Sequence, residues 1–328
     1  MTEFWIGVLA LTIFLYVVLD GFDLGVGMLF AFDRSDVTRR HMMAAIAPIW
    51  DGNETWLVLN ATILFGAFPL TYSVLLSAFY LPLIVMLIAL VFRGVAFEFR
   101  ARSDRMRAAW DAAFIGGSFV ASFIQGATVG ALVEGLRVTG HRYSGGPFAW
   151  LSPFAILCGF GLCAGYMLLG ASWLIYKTTA DVQAIALSIA PRLLAAVLVF
   201  LAIAFVGAVI LDLGVMTLWL QKPILFVFPG AGALACLGIV VALRRRYELM
   251  PFVGVVVIFA AAFGTLATSF YPYMIPFSIT VEDAAAPSSS LAFLFWGAGV
   301  FVLPITLAYT LAVYFVFKGK VAVGEGHY

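Results

Sequence analysis

Nine apolar runs, each long enough to cross a bilayer, divide this chain of 328 residues. They fall at roughly 4–32, 43–66, 70–97, 111–136, 151–176, 190–213, 222–243, 250–275 and 290–317. A bilayer core takes about 20 consecutive apolar residues per helix. Inside lipid, a segment must satisfy its own backbone hydrogen bonds, which a helix does. The runs therefore predict an all-α, polytopic membrane protein with about nine transmembrane helices. Only 11% of residues are charged and 64% are hydrophobic, against roughly 25% charged in soluble domains. The first run has no basic leader and outlasts a signal peptide, so it reads as the first span.

Charge placement tests the segmentation. With nine spans, alternate connections share a side. Arg34, Arg39, Arg40, Arg100, Arg102, Arg105, Arg107, Lys177, Arg192, Arg244, Arg245, Arg246, Lys318 and Lys320 fall on one side, fourteen of the eighteen basic residues. Arg137, Arg142 and Lys222 fall on the other, and Arg93 lies within the third span. Basic loops stay in the cytoplasm, which predicts an outer N-terminus and a cytoplasmic C-terminus. The net charge of +1 and the lack of a long basic run give no nucleic-acid surface.

Acids inside a span cost about 2.5–3.5 kcal/mol each near its centre and are functional suspects by default. The first span carries Asp20 and Asp23, and the second carries Asp51 and Glu54. Asp23 lies eleven residues before Arg34, and Asp51 eleven after Arg40. If helical throughout, both sit about 16 Å from the basic edge, on adjacent antiparallel helices. Asp51 and Glu54 are one turn apart and share a helix face. Two readings stand: the acids accept hydrogen bonds that fix helix packing, or they relay protons. Removing a carboxyl from water disfavours its charged form and lets it exchange protons near neutral pH.

Trp50 and Trp56 flank these acids, as interfacial anchors or as lining for a quinone or partner surface. Arg93, Glu98 and Arg100 near the third span's basic end read as topology signals, Arg93 by snorkelling. Asp111 suits the N-terminus of the fourth helix, and Gln125 can bond across helices. Gly21 and Gly25, Gly126 and Gly130, and Gly161 and Gly165 lie four apart and make grooves for close helix approach. The three cysteines, Cys158, Cys163 and Cys236, lack metal spacing and read as buried thiols. His41, His141 and His327 all fall in loops or the tail, which argues against a bis-histidine haem within this chain.

The motif Asp20-Gly21-Phe22-Asp23-Leu24-Gly25-Val26-Gly27 resembles the signature of subunit II of cytochrome bd-type quinol oxidases. So do Trp50-Asp51-Gly52-Asn53-Glu54, Phe92 to Arg100, Trp110-Asp111 through Phe119, and Tyr271-Pro272-Tyr273 followed by Pro276. The chain is similar to the shorter, cyanide-insensitive members, with a brief connection near Gln221. It departs at Glu282-Asp283, where the family pattern has an aromatic residue.

The resemblance implies two four-helix bundles, over 1–137 and 150–276, plus a ninth peripheral helix over 290–317. It implies a haem-free partner of a subunit I that carries haems b and d and the quinol site, possible small accessory subunits, and a structural quinone in some members. The complex oxidises quinol and reduces oxygen to water in the bacterial inner membrane. Quinol protons leave outside and protons for water come from the cytoplasm, so proton-motive force builds without a pump. The resemblance implies a proton-conducting acid at Asp51; the cost of keeping acids inside the spans adds Glu54, Asp23 and Asp20 to the expected pathway. Trp50, Asn53, Trp56, Arg93 and Arg100 are candidate quinone or partner contacts. No catalytic or metal-ligating residue is expected in this chain. The rival expectation is a secondary transporter with Asp23 and Asp51 binding a cation beside a Gly-rich broken helix. A third is a pure assembly subunit whose acids are replaceable.

Overall fold

The computed structural model describes residues 1–103, 105–210 and 215–321; His327 and the last residues of the 190–213 run lie outside them. The described helices are α1 Thr2–Leu29, α2 Asp36–Ala44, α3 Trp50–Ala67, α4 Pro69–Arg100, α5 Arg107–Glu134, α6 Pro153–Lys177, α7 Ala180–Ile210, α8 Val215–Gln221, α9 Val227–Arg244, α10 Leu249–Phe270, α11 Val281–Ala284, α12 Ser288–Leu294 and α13 Val300–Val316. Eight described helical segments are long and apolar enough to span a membrane. The remaining expected span is α3, whose Asp51, Asn53, Glu54 and Asn60 dilute its apolar character. It packs along α1, which is consistent with a bundle of about nine.

Helix α1 is the hub, packed against α3, α5 and α6. Its residues from Asp20 to Phe30 are all buried. A helix enclosed on every side needs small residues where its neighbours cross. A Cβ on Gly25 would lie 1.8 Å from the Tyr166 carbonyl oxygen, and one on Gly170 2.6 Å from the Val26 nitrogen. The α1 and α6 backbones therefore touch there. Gly126 and Gly130 bring α5 equally close to α6, at Cys158 and Ala155. Gly21, Gly161 and Gly165 instead make room for the rings of Tyr166, Phe200 and Phe259. Outward faces of α4, α7, α9, α10 and α13 are large apolar side chains, as lipid or a partner chain requires.

Three local departures have physical causes. The second run is not one helix from residue 43. Ser35 caps the separate helix α2, accepting from the Thr38 amide. Tight turns follow at Ile46 and Ile49, where Pro48 offers no N–H. Helix α7 starts at Ala180, ten residues before the expected 190. Val182, Ala186, Ile189 and Ala190 put buried side chains at helical spacing and extend it. Helix α4 kinks at Phe79, where Pro82 removes a backbone bond to the preceding turn.

The loops segregate as the charge pattern requires. At the basic end, Trp173 Nε1 donates to the Ala45 carbonyl (3.1 Å), and Lys177 bonds the carbonyls of Phe317 and Gly319. At the opposite end, Trp5 Nε1 donates to the Leu291 carbonyl and the Ala286 amide to the Ala67 carbonyl. Two small hairpins close that end: β1 Val138–Thr139 with β2 Arg142–Tyr143, and β3 Tyr273–Ile275 with β4 Ile279–Thr280. Gly140 and His141 both take positive φ at the first hairpin's turn, the primed geometry that matches strand twist.

Candidate functional site

Asp20 and Asp23 sit three residues apart on the enclosed part of α1, so both carboxyls leave the helix on neighbouring faces. Both are 0% exposed. Arg93 enters from α4, 1% exposed, with Nη1 3.3 Å from Asp20 Oδ1 and 3.5 Å from Glu54 Oε2. Its guanidinium stands over the Trp50 ring at 5.8 Å. Asn53 on α3 donates from Nδ2 to Asp23 Oδ2 at 2.7 Å and to the Leu19 carbonyl at 3.3 Å. Tyr314 on α13 donates to Asn53 Oδ1 at 3.0 Å. Four helices thus contribute to one group, in which the Arg93 guanidinium pairs with the carboxyls of Asp20 and Glu54 while Asn53 bonds that of Asp23.

That group is under-bonded. Both Asp20 oxygens, Asp23 Oδ1, and Arg93 Nε and Nη2 have no hydrogen-bond partner within the described chain. Buried polar atoms are normally satisfied, and exceptions call for an explanation such as a functional role or an ordered water. A second polar link lies beside it: Gln125 Nε2 donates to Tyr16 Oη at 2.7 Å, and Tyr166 donates to Gln125 Oε1 at 2.9 Å. Tyr16 is one turn before Asp20 on α1, so this tyrosine–glutamine link adjoins the carboxyl group. Chemically, such a cluster can accept, hold and release a proton.

The expected site residues divide. Asp20, Asp23, Glu54, Asn53, Arg93 and Trp50 come together. Asp51, at the first turn of α3, is exposed on the chain's surface and forms no ion pair with a described residue. The turn at residues 45–49 overturns the depth estimate built on a continuous helix from Arg40. Asn53, not Asp51, meets Asp23. Asp51 and Glu54 do lie a turn apart, Glu54 turned toward Arg93 and Asp51 outward. Trp56 is 0% exposed and Arg100 2%. With Asn53 and Arg93 they are interior to this chain, whereas Trp50 is half-buried and Asp51 exposed.

Arg100 belongs to another structure. It bonds Asp111 and reaches Asp36 at 2.8 Å. Arg39 reaches Asp111 at 2.6 Å and donates to the carbonyls of Phe30 and Asp33. Arg40 and Arg107 pair with Asp36 at 3.1 and 3.3 Å. Asp111 is therefore an acceptor for two arginines rather than a lone helix-end acid. Outside the spans, the Ser35 amide holds the Asp33 carboxyl below its usual range. Hydrogen bonds from Lys320 and Gln183 do the same for Glu248.

Sequence reasoning missed Tyr16, Tyr166 and Tyr314. Tyr16 had a signal, being one turn from Asp20; Tyr314 had none, because α13 is remote in sequence. Among the described residues no three His, Cys, Asp or Glu side chains group as metal ligands.

A bundle of long apolar helices enclosing a charged group defines a polytopic membrane protein. The chain matches the family described as cytochrome bd terminal oxidase subunit II over residues 1–317. It belongs to that family, and is a subunit of an oxidoreductase complex of respiratory electron transport. It is 30% identical to cytochrome bd-I ubiquinol oxidase subunit 2 of Escherichia coli (strain K12), over 93% of this chain and 91% of that protein. It is 28% identical to cytochrome bd ubiquinol oxidase subunit 2 of Bacillus subtilis (strain 168), over 98% and 97%. Its fold matches a chain in the structure of bd oxidase from Geobacillus thermodenitrificans, with a TM-score of 0.78 at 18% identity, covering 97% and 99%.

Proposed function

We propose that this chain is the haem-free partner of the haem-bearing subunit I in a quinol:oxygen oxidoreductase, and that it delivers protons from the cytoplasm for oxygen reduction. The enclosed group of Asp20, Asp23 and Glu54 around a single Arg93 carries this reading. Burying the two carboxyls of Asp20 and Asp23, with Glu54 half-buried beside them, against one cation is costly; a single pair would serve helix packing, and the excess suits a group that binds protons in transit. Asp51 takes protons at the chain's surface, and Glu54, one turn on and partly exposed, passes them to Asp20 and Asp23. Trp50 orders Arg93 by stacking. Haems b and d belong to subunit I and supply the electron chemistry there. The basic end faces the cytoplasm, as the positive-inside rule requires, with the N-terminus outside. Residues 1–137 and 150–276 act as two bundles that meet along α1–α6 and α5–α6, with 290–317 as the ninth helix.

The test is Asp51→Asn in the assembled complex, with haem content, oxygen consumption and voltage generation measured together. The expected result is normal haem content with oxygen consumption reduced about tenfold or more, about 1.4 kcal/mol or more in barrier. Normal values on all three measures would remove Asp51 from the pathway. The transporter reading is set aside, since family membership accounts for the same acids without a solute.

A further inference from the structure

The last helix carries no charged residue between Val300 and Val316, and its apolar outer face suggests only a lipid-facing support. One of its side chains nevertheless enters the carboxyl group. The Tyr314 ring packs edge-on to Trp173, with centroids 6.0 Å apart. Trp173 is itself anchored through Nε1 on the Ala45 carbonyl. The ring is therefore held by packing, and its hydroxyl is free to serve one bond, donated to Asn53 Oδ1 at 3.0 Å.

That bond decides which way the Asn53 amide points. An asparagine side chain has a donor end and an acceptor end of nearly equal shape, and its neighbours select the orientation. Here Nδ2 faces two acceptors, Asp23 Oδ2 at 2.7 Å and the Leu19 carbonyl at 3.3 Å. Oδ1 faces the Tyr314 hydroxyl. Turning the amide over would set its oxygen against the Leu19 carbonyl and an Asp23 oxygen. The tyrosine also differs from any apolar residue in being both donor and acceptor, so it can follow the amide if Asp23 takes up a proton. Asp23 Oδ1, on the far side of the carboxyl, has no partner in the described chain. The Asn53 contact is thus the only hydrogen bond that the Asp23 carboxyl makes among the described residues.

We infer that Tyr314 is a positioning residue for Asp23, acting through Asn53: it orients the amide that presents a hydrogen-bond donor to the carboxyl, and so sets how readily Asp23 exchanges its proton. A small cleft of about 10 Å³, lined by Pro48, Gly52, Thr310 and Val313 among others, reaches this tyrosine–asparagine contact from the α3–α13 boundary. That is about the room one water needs, so the contact is not sealed off. The ninth helix then has a part in proton delivery, and the inference rests on the proton-delivery reading above.

The experiment uses the assembled oxidase with Tyr314→Phe, which keeps the ring and removes only the hydroxyl. Haem content reports assembly, and turnover is measured across pH. Infrared difference spectra record the protonated-carboxyl band, assigned to Asp23 by its loss in Asp23→Asn. The expected result is parental haem content, a roughly fivefold fall in turnover, a displaced pH–rate profile and a shifted Asp23 band. A support role for the helix would move neither the profile nor the band. If Asp23→Asn slows turnover while Tyr314→Phe keeps the parental profile and band, this inference alone is overturned. If Asp23→Asn turns over normally, the relay through Asp23 and this inference fall together. Should Tyr314→Phe not assemble, difluorotyrosine at position 314 keeps the ring and weakens the hydroxyl's hold on its proton, and is judged by the same profile and band.

Discussion

Two groups of acids and arginines lie in this protein, and they are built on opposite terms. At the basic end, Asp36 and Asp111 are met by four arginines, Arg39, Arg40, Arg100 and Arg107. Carbonyls of Phe30 and Asp33 take further guanidinium donors. In the interior, Arg93 is the one cation paired with Asp20 and Glu54, Asp23 has only Asn53, and five polar atoms of the group lack a hydrogen-bond partner in the described chain. The first group has cations to spare at a boundary where they reach water. The second has carboxyls to spare in lipid, where nothing but a proton or a buried dipole relieves them. A saturated group fastens helices together; an under-bonded one retains freedom to change its charge.

The sharpest way to break this contrast is Arg100→Leu. It takes the buried guanidinium from Asp111 and Asp36, which keep Arg39, Arg40 and Arg107, so the cost stays below the about 3–5 kcal/mol of a buried pair broken outright. We expect little assembled complex, measured as haem recovered with the purified oxidase. Normal recovery would show that this group of arginines and acids is not the fastening it is taken for. Next comes Asp20→Asn, which removes one of three carboxyl charges and keeps the shape. Recovery should be unchanged while oxygen consumption falls about tenfold, about 1.4 kcal/mol in barrier. A parallel loss of assembly would make the interior group a fastening too and erase the distinction.

The smallest effect concerns the exposed fringe of the basic end, where Glu248 holds Lys320 at 2.6 Å and Gln183 at 2.9 Å. These bonds depress the Glu248 carboxyl. Its contribution is therefore present above the unfolded carboxylate range, near about 4.3, and is lost as pH falls through the lower folded value. Because the side chain is 45% exposed, screening limits the effect to about 0–1 kcal/mol. Protease cleavage of the C-terminal segment should quicken at acid pH in the parent. In Lys320→Ala it should already be quick at neutral pH and depend less on acid. An equal acid response in both would show that Glu248 does not hold the C-terminal segment.

Particular residues show how far the sequence could be read. Asp20 and Asp23 are conspicuous because charge is rare in an apolar run, and both prove to be at the centre of the site. Arg93 reads as a snorkelling residue, yet it points inward, where the carboxyls of Asp20 on α1 and Glu54 on α3 receive it. Arg100 reads the same way and is locked to Asp111 and Asp36. Nothing in the local sequence separates the two arginines; their neighbours on α1, α2, α3 and α5 do. The place of Asp51 depended on a helix that the turn before Trp50 interrupts.

The sequence by itself determined that the chain lies in a membrane, roughly how many times it crosses, and which of its loops share a side. Each follows from local quantities: the length of apolar runs, the hydrogen-bond demands of lipid, and the tally of basic residues in each connection. The tertiary structure alone decided that Asn53 rather than Asp51 meets Asp23, that Arg93 pairs with acids from two helices, and that Tyr314 arrives from a helix 261 positions away. Those depend on helix rotation and crossing height, fixed by contacts such as Gly25 against the Tyr166 backbone. Such contacts join residues far apart in the chain, and periodicity within one helix carries no record of them.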